Sequence, residues 1–339
     1  MYLHIEKLVA NINNGFQGDF FPNGVLQLNI SVDHQIRQFY IEILNGVLSY
    51  SAGSHSSPTA LMTVNEKKLV ELYEGSINLI SSNYVDYLNI KGDKRFALEI
   101  ILSCFKPESE ERSLFKAAFS NSSKYVPKKI NCQDEKNNID IYKLIKKMHP
   151  FILRNYVKWP SCKLGYCDFL SQYQPAEFYQ SDYIGGLSVP SSMRQEFDFY
   201  FFNSDFLTSL QLWMGKKSSN VVTSLHRDAR PVLHTQVIGK KRFVLFPPSD
   251  ENFLYPRIAF KSKFQKCWVE SDRVNLDKFP LYNKAHPFEI VLTSGDLLHI
   301  PMGWFHCVYV LEDAVSVSAS ISKGRFWSDL KEEILRYSL

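Results

Sequence analysis

Three side chains carry the chemistry this sequence offers: His226 and Asp228, an H-x-D pair in TSLHRD, and His306, near the end of SGDLLHIPMGWFHCV. Two imidazoles and one carboxylate on one face of a rigid site hold Fe(II) while leaving adjacent coordination positions open. Alternation along a strand sends residues i and i+2 to the same side, so His226 and Asp228 can grip one ion while Arg227 points away. The stretch from Asp228 to His306 is too long for a local turn, so only the fold can close it. An isolated H-x-D or a solitary His is more often structural, and the surroundings decide. Thr223 lies three residues before His226, and Lys241 lies thirteen after Asp228. Gly295-Asp296 and Pro301 frame a tight turn ahead of Trp304-Phe305-His306.

The segments TSLHRD, QVIGKKRFVLFPPSDENFLYP and SGDLLHIPMGWFHCV, in this order and spacing, resemble the JmjC hydroxylases. The likeness is greatest to the wybutosine-type tRNA hydroxylases and the asparaginyl hydroxylases, and it runs from about Met148 to about Trp327. It implies a double-stranded β-helix, the cupin jelly roll, with His226, Asp228 and His306 as metal ligands and catalytic residues. Fe(II) held by three protein groups retains positions for a bidentate 2-oxo acid and for dioxygen, so 2-oxoglutarate is the expected cosubstrate, with ascorbate as reductant in vitro. The family pattern puts its distal carboxylate on Lys241 with the hydroxyl of Thr223 beside it. A carboxylate there would offset the cost of burying a lysine. The implied reaction is oxidative decarboxylation to succinate and carbon dioxide with hydroxylation of an unactivated C–H bond.

Several positions depart from the pattern. Arg227 stands where Tyr is usual, Val232 where an Asn commonly supports the cosubstrate, and Ser320 where an Asn is often found. Ser320 and His234 are read as cosubstrate-side residues, with simple burial as the other reading of His234. Trp304 and Phe305 either wall the site or belong to the core. Cys307 and His299 turn away from the ligands on strand alternation.

Apolar segments FDFYFF, LTSLQLWMG, VLHTQVIG, RFVLFPP, FEIVLTSGDLLHIP and HCVYVLEDAVSVSASI recur with turn residues between them, which indicates a closed or double-sheet β architecture. From Ile139 the chain enters this part through a helix, a short strand and a Trp-Pro turn. Ahead of it, VLQLNISV and QFYIEILNGVLSY read as a β meander with turns at Asp33-His34-Gln35 and Asn45-Gly46. Asn65 can cap a helix carrying Leu69, Leu72 and Tyr73, and LNIKGDKRFALEIIL gives a strand, a turn and a helix. This order resembles the sterol-carrier-protein-type lipid-transfer fold over residues 1–105. An apolar tunnel would follow from the likeness, and a filled core serving dimerisation or substrate docking is the plainer reading. The expected architecture is an α+β domain (1–105), a linker with helical pieces (106–138) and a mainly β oxygenase domain (139–339).

The chain has 339 residues, 45% of them hydrophobic, which suits two cored domains. Residues 1–105 carry 7 Lys plus Arg against 10 Asp plus Glu, leaving 32 against 25 for the rest. That excess is spread too thinly to favour nucleic acid, and the charges between Lys106 and Lys147 read first as a solvated linker and second as a phosphate-attracting surface. Cys104, Cys132, Cys162, Cys167, Cys267 and Cys307 form no C-x-x-C pair, so reduced thiols are expected. Charged residues precede any apolar run and no stretch approaches a membrane span, which points to the cytoplasm. Expected partners are 2-oxoglutarate, dioxygen and a protein or lipid-like small-molecule substrate, with a tRNA base as the less favoured alternative and a homodimer allowed. A binding module that has lost turnover is the competing class.

Overall fold

The computed structural model describes residues 2–74, 88–104, 109–122, 127, 129–133, 139–157, 166–173, 182–190, 206–208, 210–258 and 264–336. The expected strand FDFYFF, the Trp159-Pro160 turn and Cys162 lie outside them. By its contacts the chain divides into two units, Met1–Glu108 with Arg257–Trp268, and Ser109–Pro256 with Val269–Leu339.

In the first unit, β1 (Gly24–Val32), β2 (Gln35–Leu44) and β3 (Val47–Ala52) form the meander read from the sequence. Asp33 and His34 take positive φ (47° and 63°), as do Asn45 and Gly46 (50° and 77°), the conformation that two-residue hairpin turns require. β4 (Ala60–Asn65) pairs parallel to β1 and β5 (Ile90–Gly92) antiparallel to β4, giving the order β3-β2-β1-β4-β5. Asn65 caps the helix Glu66–Tyr73 by accepting from the Lys68 N–H at 2.8 Å, and Asp93 caps Lys94–Leu102 in the same way. Two elements went unread. The amino-terminal helix Tyr2–Gly15 buries Ile5, Leu8, Val9 and Ile12, a helical spacing broken up by charges. β4 hides in six residues directly ahead of the capped helix.

The second unit contains β6 (Asn131–Gln133), β7 (Phe151–Leu153), β8 (Tyr183–Ser188), β9 (Gln211–Gly215), β10 (Val221–Asp228), β11 (Val232–Ile238) and β12 (Lys241–Phe246). After β13 (Phe264–Lys266), which clusters with the first unit, come β14 (Phe288–Leu292), β15 (Leu297–Ile300), β16 (Phe305–Val310) and β17 (Ala314–Ser320). One sheet runs β6-β7-β15-β11-β17-β9-β8, and in the other β10, β16, β12 and β14 lie side by side. Alternation assigns each strand two faces. Phe243, Leu245, Ile290, Leu292, Leu298, Ile300 and Val308 pack between the sheets. Leu212, Met214, Leu233, Val237, Val315 and Val317 lie on the outer face of the longer sheet, against helices that include Ser109–Ser122 and Gly324–Arg336. This is the α+β unit followed by a jelly roll that the sequence implied. The helix Ser109–Ser122 differs from a solvated linker, since Leu114, Ala117 and Ala118 are buried in the second unit. Among the described residues, no helix is long and apolar enough to cross a membrane.

Candidate metal centre

β10 and β16 are antiparallel neighbours, and their register sets His226 opposite His306 and Arg227 opposite Phe305. Directly opposed residues share a face, so both imidazoles emerge on one side, with ring centroids 4.1 Å apart. Asp228 follows two residues on and reaches the same side, its Oδ2 4.0 Å from His226 Nε2 and 3.6 Å from His306 Nε2. The three donor atoms all lie within 4.8 Å of one another.

The imidazoles are oriented for a metal. His226 Nδ1 lies 2.8 Å from the Ser224 carbonyl and His306 Nδ1 3.2 Å from the Trp304 carbonyl. A carbonyl only accepts, so each Nδ1 carries the proton and each Nε2 lone pair is directed at the shared space. Burial lowers the His306 pKa to about 4, so the ring is neutral at pH 7 and needs no deprotonation to bind an ion. Burial pushes the Asp228 carboxyl up to about 7, while 24% exposure of its side chain leaves solvent access that restrains the rise. The turn before His306 is fastened to the Asp228 backbone: Gly303, at φ +78°, donates its N–H to the Asp228 carbonyl at 2.8 Å.

Deeper in the barrel, Lys241 opens β12 and is fully buried. Its Nζ donates to Ser316 Oγ at 2.5 Å and lies 5.3 Å from the centroid of the Tyr183 ring, and Thr223 Oγ1 donates to the Tyr183 hydroxyl at 3.1 Å. Among the described residues no carboxylate forms an ion pair with Lys241, and burial lowers its pKa to about 7. Thr223 and Lys241 are thus brought into one cluster. Tyr183 and Ser316 join it unforeseen, although the alternation in VSVSAS already set Ser316, Ser318 and Ser320 on one face.

His234 also faces this interior, edge-on to Phe243 at 4.8 Å, with its Nε2 buried and without a hydrogen-bond partner among the described residues. Burial, reinforced by Lys241 and His306, holds it neutral. Ser320 sits four residues along β17 from Ser316, about 13 Å at strand rise. It pairs across the ladder with Val232, and its backbone N–H donates to Thr208 Oγ1. The hydroxyl next to Lys241 is therefore that of Ser316. Cys307 faces the other way, accepting from Ser271 Oγ at 3.0 Å, and His299 stacks on Phe151 outside the site.

Residues 181–328 match the family model of the cupin-like domain. Human tRNA wybutosine-synthesizing protein 5 is 36% identical over 152 residues, 44% of this chain and 40% of that protein. JmjC domain-containing protein D of Dictyostelium discoideum is 31% identical over 115 residues, 34% of this chain and 25% of that protein. The human bifunctional peptidase and (3S)-lysyl hydroxylase JMJD7 is 26% identical over 149 residues, 38% of this chain and 44% of that protein. The chain thus spans between a quarter and under half of the length of these relatives. The matched stretch, which holds Thr223, His226, Asp228, Lys241 and His306 together, is similar to the cupin-like domain and to proteins of the JmjC kind.

Proposed function

We propose that the chain is an Fe(II)- and 2-oxoglutarate-dependent dioxygenase that hydroxylates a protein side chain or a small, lipid-like metabolite, releasing succinate and carbon dioxide. The observation that carries this reading is the pairing of two sites in one barrel: a 2-His-1-carboxylate set with both Nε2 lone pairs directed inward, and a buried lysine with no carboxylate partner among the described residues. The donor set suits Fe(II), and the lysine suits the distal carboxylate of a 2-oxo diacid. Bound iron would supply dioxygen activation coupled to decarboxylation of the 2-oxo acid.

The protein's own groups do the rest. His226, Asp228 and His306 would hold the metal, with the Ser224 and Trp304 carbonyls fixing both rings. Lys241 would bind the cosubstrate's far end, aided by Ser316, Tyr183 and Thr223. His234, neutral and with no partner for its Nε2 among the described residues, is suited to donate to a cosubstrate or product oxygen, and Ser320 lines the same face nearer the turn into β11. Trp304, buried in the cluster between the sheets, would keep water from the third ligand, whereas Phe305 faces the other side of β16 with Arg227. The address proposed is the cytoplasm. The first unit would present the substrate, and its likeness to sterol-carrier-type domains favours an apolar one.

A second reading, hydroxylation of a tRNA base, is favoured by the 36% identity to a protein named for tRNA wybutosine synthesis. Succinate release from 2-oxoglutarate, with Fe(II) and ascorbate under air, tests the reading when fractionated cell extract is supplied with and without ribonuclease. Turnover that survives ribonuclease supports the first substrate class, and turnover abolished by it supports the second. Absence of both succinate formation and iron uptake would leave a binding module.

A further inference from the structure

We propose that Arg227 and Glu251 form a positioning clamp that sets the affinity of the His226, Asp228 and His306 triad for a divalent metal; this rests on the metal reading above. Arg227 lies between two of the proposed ligands on β10 but leaves the strand by the opposite face, with a side chain only 3% exposed. Its Nη1 and Nη2 donate to Glu251 Oε2 and Oε1 at 2.9 and 3.1 Å, a two-pronged fork. The guanidinium lies 4.8 Å from the centroid of the Phe305 ring and 4.1 Å from that of Phe115.

One side chain therefore joins four elements: β10, β16, the helix Ser109–Ser122 and the short helix Glu251–Leu254. Phe305 directly precedes His306, and Arg227 directly adjoins His226 and Asp228, so movement of the guanidinium displaces all three ligands at once. The fork fixes the direction of the guanidinium as well as its charge, which an ammonium cannot reproduce. Glu251 contributes a second effect. It balances a buried cation that would otherwise repel a dication from behind the ligands through a medium that screens weakly.

Cobalt(II) titration of the full chain tests the clamp, with affinity and the visible ligand-field spectrum as readouts. Glu251→Gln and Arg227→Lys should each weaken Co(II) binding about tenfold, the lower end of what groups orienting metal ligands contribute, and should alter the spectrum. Leu330→Ala, in the Gly324–Arg336 helix, serves as a control that lowers Tm while leaving Co(II) affinity as in the wild type. Wild-type affinity and spectrum in both clamp variants would overturn the inference and leave the metal reading standing. Failure of the wild-type chain to bind Co(II) or Fe(II) would overturn both.

Discussion

Replacing Lys241 by methionine removes a charge that the fold carries at a loss. The amine is fully buried, and burial takes its pKa from an ordinary 10.5 down to about 7. Between those values the unfolded chain binds a proton that the folded chain does not, so the lysine's contribution to stability rises with pH over that window and is poorest at and below neutrality. At about 1.36 kcal/mol per pK unit, the loss at pH 7 is about 4 kcal/mol. That is a ceiling, because Ser316 Oγ and the Tyr183 ring already attend the ammonium. Methionine keeps the stem without the charge, and exchanges of buried charge for apolar groups of similar volume stabilise by about 1–4 kcal/mol. Urea unfolding at pH 7 should therefore find Lys241→Met more stable than wild type by about 1–3 kcal/mol, the low part of that range. The gap should close as the pH approaches 10.5. In thermal unfolding, 2-oxoglutarate should raise the Tm of the wild type and not that of the variant, which lacks the cation for the distal carboxylate. A variant less stable than wild type at pH 7 would refute the burial argument. One whose Tm still climbs at the wild-type 2-oxoglutarate concentration would refute the anchor role.

Three further outcomes are expected. Asp228→Ala should abolish Fe(II) binding in calorimetric titration while leaving the metal-free Tm no lower than wild type, since the carboxyl is held up near 7 by burial and removing it costs the barrel little. His299 is fully buried with a pKa lowered to about 3, so below 6.5 the unfolded chain takes up a proton the folded one refuses and stability falls with acidity. About 2 kcal/mol should be lost by pH 5, and His299→Leu should flatten that slope in denaturant titrations across pH 7 to 5. Gly303→Ala puts a side chain at φ +78° and its Cβ 2.8 Å from that of Ala118. It should cost at least about 1–2 kcal/mol for the left-handed backbone and weaken metal affinity, readable by Co(II) titration, by loosening the Gly303 to Asp228 hydrogen bond.

The clustering of the candidate ligands was legible because part of its information is short-ranged. An H-x-D on a strand puts two candidate ligands on one side by alternation, and the Gly-Asp and Pro turn words announce the third. The meander of the first unit was legible for a like reason, since Asp33-His34 and Asn45-Gly46 are residue types that accept positive φ. The rest depends on partners distant in the chain. Nothing near Tyr183 announces that its ring would lie by Lys241, because β8 and β12 meet only through the closed barrel. Ser316 and Ser320 are alike in sequence, and only the position of Lys241 across the barrel separates them. The helix Ser109–Ser122 reads as polar because its buried face is short and interrupted, yet that face packs Phe115 on Arg227 and Ala118 against the Gly303 turn.

The same distances explain why a cluster of ionisable groups survives inside an apolar barrel. Four ionisable groups there are pushed toward their neutral forms: His306 and His234 lie below their ordinary range, Lys241 is near 7, and Asp228 has risen to meet it. Burial alone would favour replacing all of them with aliphatic residues. On the proposed reading, a dication on the Asp228 side and a dicarboxylate on the Lys241 side would reverse each penalty, the first by favouring a carboxylate and the second by favouring an ammonium. The free energy the fold forgoes would then be recovered as affinity for two oppositely charged ligands at neighbouring positions inside the barrel. Arg227 could share neither end. Its charge is confined to the far face of β10 and cancelled by Glu251, so the field inside the barrel is set by the groups that face it.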